Sequence, residues 1–422
     1  MVGAEACQGD LKQFYASIKL IVEQWNLQRV LLRDELDPDG RILEMILRTL
    51  IWGIKCVSAQ SETAIIKLAE HILKDYPLLA KFLLDSRFVD DIADSAAKKE
   101  TLEKITGQAD YFFDKLGLGC KGWSYSGSNP PEEVSGGEDH VKVAGMIWYT
   151  LLDSLEIPLP ELHFSNKSRG RLVAGSKVYD GSMSMDEFVP AKLTRRMIVS
   201  KNSSIFDLAG KLVPALITLK SDVSEAIKET KNWDDAVAPE LRSKWVQNFM
   251  RIEDLRGIKF NRAIMPLDAV DTKLNILTGG DVAKAKIVGC WGRFLRKNGK
   301  FSCQLLIGRS LIGNINSTIP KEELEVLMMA CNLSMIVRMA LDDWMDSHIE
   351  FGDSSIALCW TTSEKKRLSL YHRNRCAQIR RATEVTNLYH YTTDEWLSRR
   401  DLFGVQEEPR LFRQRPEIQN TY

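Results

Sequence analysis

The sequence predicts a multi-domain α/β chain, α+β in the broad sense, and three observations predict it. Helix-patterned stretches alternate with short strand-like runs before residue 180 and again after about 272. A mostly helical stretch, 181–263, lies between them. Single acids stand repeatedly where strand-like runs end.

At 422 residues the chain has room for about two to four domains. With 44% hydrophobic and 27% charged residues it has the composition of a soluble globular protein. Lys+Arg and Asp+Glu are 57 each, so the whole-molecule field selects no partner and nucleic-acid contact would rest on local basic patches. The 8 cysteines are scattered singly with no C-x2-C spacing, which reads as buried thiols in a reducing compartment rather than disulfides or a zinc site. No apolar run approaches the roughly 18 residues of a membrane span. "MVGAEACQGDLKQFY" has no signal-peptide core. The expectation is an intracellular, cytoplasmic chain with no membrane partner.

In chain order, "LKQFYASIKL" has helix-like spacing and "QRVLLR" leans to strand. "RILEMILRTLIWGIKCVSAQSETAIIKLAEHILKDYP" reads as helical, interrupted at Gly53. "LLAKFLLDSRFVDDIADS" offers a short strand, an acidic turn and a second strand. "AKKETLEKITGQADYFFDKLG" is an amphipathic helix ending at Gly117. "KGWSYSG" and "KVAGMIWYTL" are strand-like, with the loop "GSNPPEEVSGGED" between them. After the helical stretch come "KLNILTGGD", "AKIVGCWGRFL" and "FSCQLLIGRSL", then the helix from Pro320, the strand-like "HIEFGDSSIALCW", and a basic helix to about 384. The tail from about 402 is polar.

Two acid constellations bear on chemistry. In "SRFVDDIADS", Asp90 and Asp91 interrupt an apolar run, where a lone carboxylate must be paired or hold metal. Asp-Asp is also a common turn dipeptide. Asp10, in "GDLKQFYASIKL", is either a helix N-cap or a third carboxylate facing that turn across a sheet. Three such acids would repel unless cations sat between them, and two Mg²⁺ ions are the machinery of in-line phosphoryl transfer. Asp281, Glu323 and Asp353 repeat the pattern on strand, helix and strand, the layout of a ribonuclease H-like site. Singly, each also reads as a solvated acid. The basic groups Lys192, Arg195, Arg196, Lys201 and Lys365, Lys366, Arg367, Arg373, Arg375, Arg380, Arg381 are either solvated helix faces or phosphate-tracking surfaces.

From about residue 5 to 390 the chain resembles the pol polyprotein of Bel/Pao-type LTR retrotransposons, reverse transcriptase running into ribonuclease H. "GDLKQFYASIKL", "LRTLIWGIKCVSAQSE" and "FVDD" resemble its first three polymerase motifs. "KGW" and "VAGMIWYTL" resemble the primer-gripping strands, and "VPAKLTRRMIVSKNSSIFDLAGKLVP" with "NWDDAVAPELRSKW" the linker. "STIPKEELE" and "FGDSSIALCWTTSEKKRLSLYHRNRCAQIRR" resemble ribonuclease H segments. The resemblance implies that Asp10 and Asp90, with Asp91 weaker, hold two Mg²⁺ (or Mn²⁺) ions. It implies that Tyr15 excludes a ribose 2′-OH, that Gln60 touches nucleotide or template, and that Asp281, Glu323 and Asp353 hold two ribonuclease metals. Arg373 and Arg375 would contact substrate. The implied partners are RNA template, DNA primer and RNA–DNA hybrid.

The implied layout is a palm at 1–180, a helical thumb or connection at 181–270, a ribonuclease H-like domain at 271–405 and a tail at 406–422. Relatives carry a fingers region before the first motif, and the sequence starts just ahead of that motif, so a palm without fingers is expected. The fourth ribonuclease acid departs from the family pattern in "LYHYTTDEWLSRRDLFGV", leaving Asp394, Glu395 and Asp401 as candidates. No aspartic-protease or integrase signature is present. RNA-directed DNA synthesis with RNA cleavage is the leading expectation. The rival is a catalytically inactive, co-opted remnant that binds nucleic acid or serves a structural role.

Overall fold

The computed structural model describes residues 2–33, 40, 42–164, 177–271, 274–282, 285–314, 317–363 and 367–390, with Asp281 described by its backbone. The chain divides into two compact units, Met1–Leu155 with Phe260–Ala263, and Glu156–Lys259 with Ile264–Tyr422. The helical stretch 181–270 therefore falls with the residues after it, except for 260–263.

The first unit runs β1 Glu5–Lys12, α1 Phe14–Ser17, β2 Arg29–Arg33, β3 Ile42–Ile46, α2 Val57–Ile72, α3 Pro77–Asp85, β4 Arg87–Phe88, β5 Asp91–Ala96, α4 Lys99–Leu116, β6 Gly119–Tyr125, α5 Glu132–Ser135, β7 Val141–Val143, β8 Met146–Tyr149 and β9 Ser154–Glu156. Its main sheet has the order β4-β5-β1-β6. Alternation along β1 sends Cys7 and Leu11 into a core with Ile65, Ala69, Leu83, Leu102, Ile105 and Phe113 from the three longer helices. Ala6 lies on the other face, packed with Val141, Val143 and Trp148. Helix α4 follows its pattern: Leu102, Ile105, Thr106, Ala109 and Phe113 are buried, and Gly117 closes the helix at φ 69°.

The second unit runs α6 Met185–Phe188, α7 Arg195–Ser204, α8 Val213–Glu229, α9 Pro239–Asp254, β11 Leu274–Val282, β12 Ala285–Leu295, β13 Phe301–Ile312, α10 Ile319–Ala340, β14 Met345–Gly352, α11 Ser355–Thr362, α12 Leu370–Ala382 and β15 Leu388–His390. Strand β10, Lys259–Asn261, whose Phe260 and Asn261 belong to the first unit, pairs with β9 in a sheet of order β10-β9-β8-β7. The five-stranded sheet has the order β13-β12-β11-β14-β15. β11–β12 and β12–β13 are antiparallel, while β11–β14 and β14–β15 are parallel. Leu324, Leu327 and Cys331 of α10 pack with Leu358, Cys376 and Ile379 in the core beneath it.

Three element expectations are corrected. "RILEMI" is strand: Arg29–Arg33 pairs with Ile42–Ile46, and β-sheet pairing outweighs the helix-like spacing. "LLAKFLLD" is helix, started by Pro77 at its first turn. "SSIALC" is helix, because the Ser354 hydroxyl accepts from the Ala357 N–H and caps it. Against the expectation of buried thiols, Cys56 and Cys359 are exposed. No helix among the described residues is long and apolar enough to cross a membrane.

Candidate functional site

In the first unit, Asp10 pairs across the sheet with Asp91. Paired residues share a face, and strand alternation puts that face opposite the helices. Asp90 stands in the two-residue turn between β4 and β5, since Phe88 pairs directly with Asp91. The Leu11 N–H donates to the Asp90 carbonyl at 3.0 Å, tying the turn to β1. Val89 takes φ 62°, costly for a β-branched residue and held in place by its surroundings. Arg87, whose side chain is 3% exposed, donates to the Val89 carbonyl at 2.6 Å and pairs with Glu62. Asp10 is no helix N-cap; Gln13 holds that position before α1.

The three acids share a cation. Lys121 Nζ lies 2.9 Å from Asp10 Oδ1. Its hydrogen bond to Asp10 holds the ammonium above its ordinary range, and Asp90 and Asp91 add to the effect. Burial, with the neighbouring Asp90 and Asp10 charges, pushes the Asp91 carboxyl up, while the Ala144 N–H and Gln8 hold it back. The Ala144 N–H donates to Asp91 Oδ2 at 3.3 Å. Three oxygen donors that repel one another and draw in an ammonium suit a hard divalent cation.

Tyr15 is packed between Phe14 and Trp52, with ring centroids 5.6 and 5.7 Å away. Gln60 accepts from the Cys56 thiol at 3.6 Å. It also lines a groove of about 420 Å³ with Ile18, Lys19, Leu50 and Lys67.

In the second unit, Gly280 pairs with Gly352 across β11 and β14. Asp281 and Asp353 follow these glycines on neighbouring strands. A Cβ on Gly280 would lie 2.5 Å from Val326 Cγ1, and one on Gly352 would lie 3.3 Å from Leu327 Cδ1. The two glycines let α10 lie close on the sheet. Glu323, Gly280, Gly352 and Asp353 consequently line one recess. The acids Asp394, Glu395 and Asp401 lie outside the described residues.

Arg375 is engaged inside this unit. Its Nη2 is 2.6 Å from Glu325 Oε1, and its guanidinium lies 3.5 Å from the Tyr371 ring centroid. Burial pushes the Glu325 carboxyl up, but Lys286, Tyr371 and Arg375 hold it at about 2. Arg373 is exposed. In the other basic group, Arg196 forms a two-point pair with Asp234, Arg195 lies over Trp233 at 4.4 Å, and Lys201 lies over Phe164 at 5.9 Å. Of the last basic stretch, Lys365 and Lys366 are outside the described residues.

Among the described residues, the group of three acid, His or Cys side chains with ligand atoms all within 4.8 Å is Glu138, Asp139 and His140, on the surface before β7. The Asp10, Asp90 and Asp91 carboxylates are spread more widely. Sequence reasoning missed Arg87 and Lys121. Both stood inside quoted motifs, "SRFVDDIADS" and "KGW", but no residue pattern marked their partners.

Residues 194–354 match the family described as the Pao retrotransposon-like RNaseH-like domain. The resemblance to Pao-type retrotransposon proteins is thereby shown over those residues, which include β11 to β14. No curated protein matches the sequence. Two similar solved structures are the foamy viral protease-reverse transcriptase dRH in complex with double-stranded DNA and the foamy viral protease-reverse transcriptase in complex with double-stranded DNA. Each is 13% identical with a TM-score of 0.49 over 93% of this chain, which spans 57% and 68% of their lengths.

Proposed function

We propose that the chain carries two phosphoryl-transfer sites that use divalent metal. The second unit cleaves the RNA strand of RNA–DNA hybrids, and the first adds nucleotides to a DNA primer on an RNA template. One observation carries the ribonuclease reading: the Gly280–Gly352 pair sets two acid-bearing strand ends side by side, with Glu323 on the helix laid across them. Glu323 and Asp353, completed by Asp281, would hold two Mg²⁺ or Mn²⁺ ions. Those ions, when bound, supply activation of the attacking oxygen and stabilisation of the leaving one. The protein's own part is placement: the backbone fixes the strand ends, and the buried side of α10 fixes Glu323 over them.

The polymerase reading rests on the Asp10–Asp91 register and the Asp90 turn. Asp10 and Asp90 would be the main ligands. Asp91 is the weaker one, because its carboxylate already accepts the Ala144 N–H. Tyr15, braced by Trp52, would lie against the incoming sugar and reject a 2′-OH.

The test is Mg²⁺-dependent cleavage of a labelled RNA–DNA hybrid by the full chain. Cleavage that disappears in Glu323→Gln and in Asp353→Asn supports the reading. Hybrid binding without cleavage would replace it with a non-catalytic nucleic-acid-binding role.

A further inference from the structure

We propose that Lys121 is a built-in countercation of the first acidic site, holding Asp10, Asp90 and Asp91 together in the metal-free protein and yielding its place when a divalent ion binds. The inference rests on the polymerase reading of that site.

Two observations converge on it. The ammonium is 2.9 Å from Asp10 Oδ1. Independently, the strand that carries it is irregular at this point. β1 and β6 pair Gly9 with Trp123 and Leu11 with Cys120, so β6 has one residue more than β1 between those pairs. Trp123 and Cys120 both pack toward the helix-side core. Strict alternation from Trp123 would send Lys121 to that core as well. The extra residue turns it to the opposite face, where Asp10 lies, as a β-bulge does when it re-aims a side chain. Gly122 makes the bulge possible by taking φ 131°, which residues with a side chain rarely adopt.

An ammonium and a metal ion that neutralise the same carboxylates compete. Removing the ammonium leaves three repelling acids, so metal should bind more tightly and the metal-free fold should weaken. Lys121 is thus a positioning residue whose charge sets a threshold for metal entry.

The experiment is calorimetric titration of the full chain with Mn²⁺ in an Asp353→Asn background, which suppresses the second site. Melting is followed in parallel in chelator. Lys121→Gln should bind Mn²⁺ about tenfold more tightly than its parent and melt lower in chelator, while Lys121→Arg stays near the parent on both counts. Equal or weaker Mn²⁺ binding by Lys121→Gln overturns the countercation role. Adding Asp10→Asn separates the two ideas. If no protein in the set shows Asp10-dependent binding, the polymerase reading falls too; if such binding is present but indifferent to Lys121, only the countercation falls. Should Lys121→Gln fail to fold, the unmutated chain carrying ¹³C-dimethylated lysines serves instead. The Lys121 resonance, assigned with Lys121→Arg, should move on Mg²⁺ addition, and a resonance that stays fixed overturns the proposal.

Discussion

The two acidic sites use the same dipeptide and solve different problems with it. In "QGDLK", "GGDVA" and "FGDSS" a glycine precedes Asp10, Asp281 and Asp353. In the first unit, a Cβ on Gly9 would come within 2.6 Å of the Trp123 ring, so glycine admits a neighbouring strand's side chain. In the second, Gly280 admits a helix: its Cβ would meet Val326 Cγ1 at 2.5 Å and the Ile287 carbonyl at 2.6 Å. The first site is assembled by register, because Asp10 and Asp91 are partners in one ladder. The second is assembled by layer spacing, because Glu323 reaches the strand ends only if α10 sits low on the sheet. A register-built site tolerates changes in packing. A spacing-built site does not.

The largest expected effect is on the chemistry of each site. Asp353→Asn should lower hybrid cleavage by at least about 10³-fold, about 4 kcal/mol of transition-state stabilisation, and leave primer extension unchanged. Asp90→Asn should do the reverse. If either variant lowers both activities in gel assays, the two sites are not independent. Next is Gly280→Ala, which should destabilise the chain by about 2 kcal/mol in urea unfolding, because the new methyl runs into Val326 of α10 and the Ile287 carbonyl. Gly352→Ala meets only a flexible Leu327 end at 3.3 Å and should stay within about 1 kcal/mol. Equal costs would undo the spacing argument.

Acid affects the two units in opposite directions. Glu325, held at about 2 against an ordinary 4.5, contributes stability that is present above pH 4.5 and lost as pH falls toward 2. Glu325→Gln should remove about 1 kcal/mol at neutral pH, once solvent screening is allowed for, and flatten the acid limb of a stability–pH curve. Asp91 has the opposite sign. Its raised carboxyl favours the fold below its unfolded pKa, and that contribution is lost as pH rises through the folded value. Asp91→Asn should therefore slightly raise the melting temperature at neutral pH, the smallest effect of the set.

The contrast also explains what could be read in the sequence. The Asp90 turn, its approach to Asp10 across a sheet and the helix ended by Gly117 were legible because they depend on local pattern and dipeptide chemistry. "RILEMI" was misread because its apolar spacing fits helix and strand alike, and its partner, Arg29–Arg33, decided the matter. Lys121 was invisible as a partner of Asp10, since alternation points it to the wrong face and only the bulge corrects that. Arg375 reads as part of a solvated or phosphate-tracking helix face, and its ion pair with Glu325 and stacking on Tyr371 were not marked. Local signals name the residues of a site; the long-range partners that tune them are set by packing.

Arg262 is another residue that no pattern marked. Only 2% exposed, it donates to the carbonyls of Gly3 at 2.8 Å and Ala4 at 2.7 Å, and grips Asp153 through two bonds of 2.6 Å. Trp148 donates to the same carboxylate at 3.0 Å. The contact joins the start of the first unit to a residue 259 positions later. During synthesis on a ribosome, the Asp153 carboxylate and the β1 approach must therefore wait for about a hundred further residues before their clamp emerges. At 5–20 residues per second that is a delay of roughly 5–20 s. The first unit is a late-closing structure despite being encoded first. A fragment cut at Leu155 would keep Asp10, Asp90 and Asp91 and lose the arginine that locks their sheet shut.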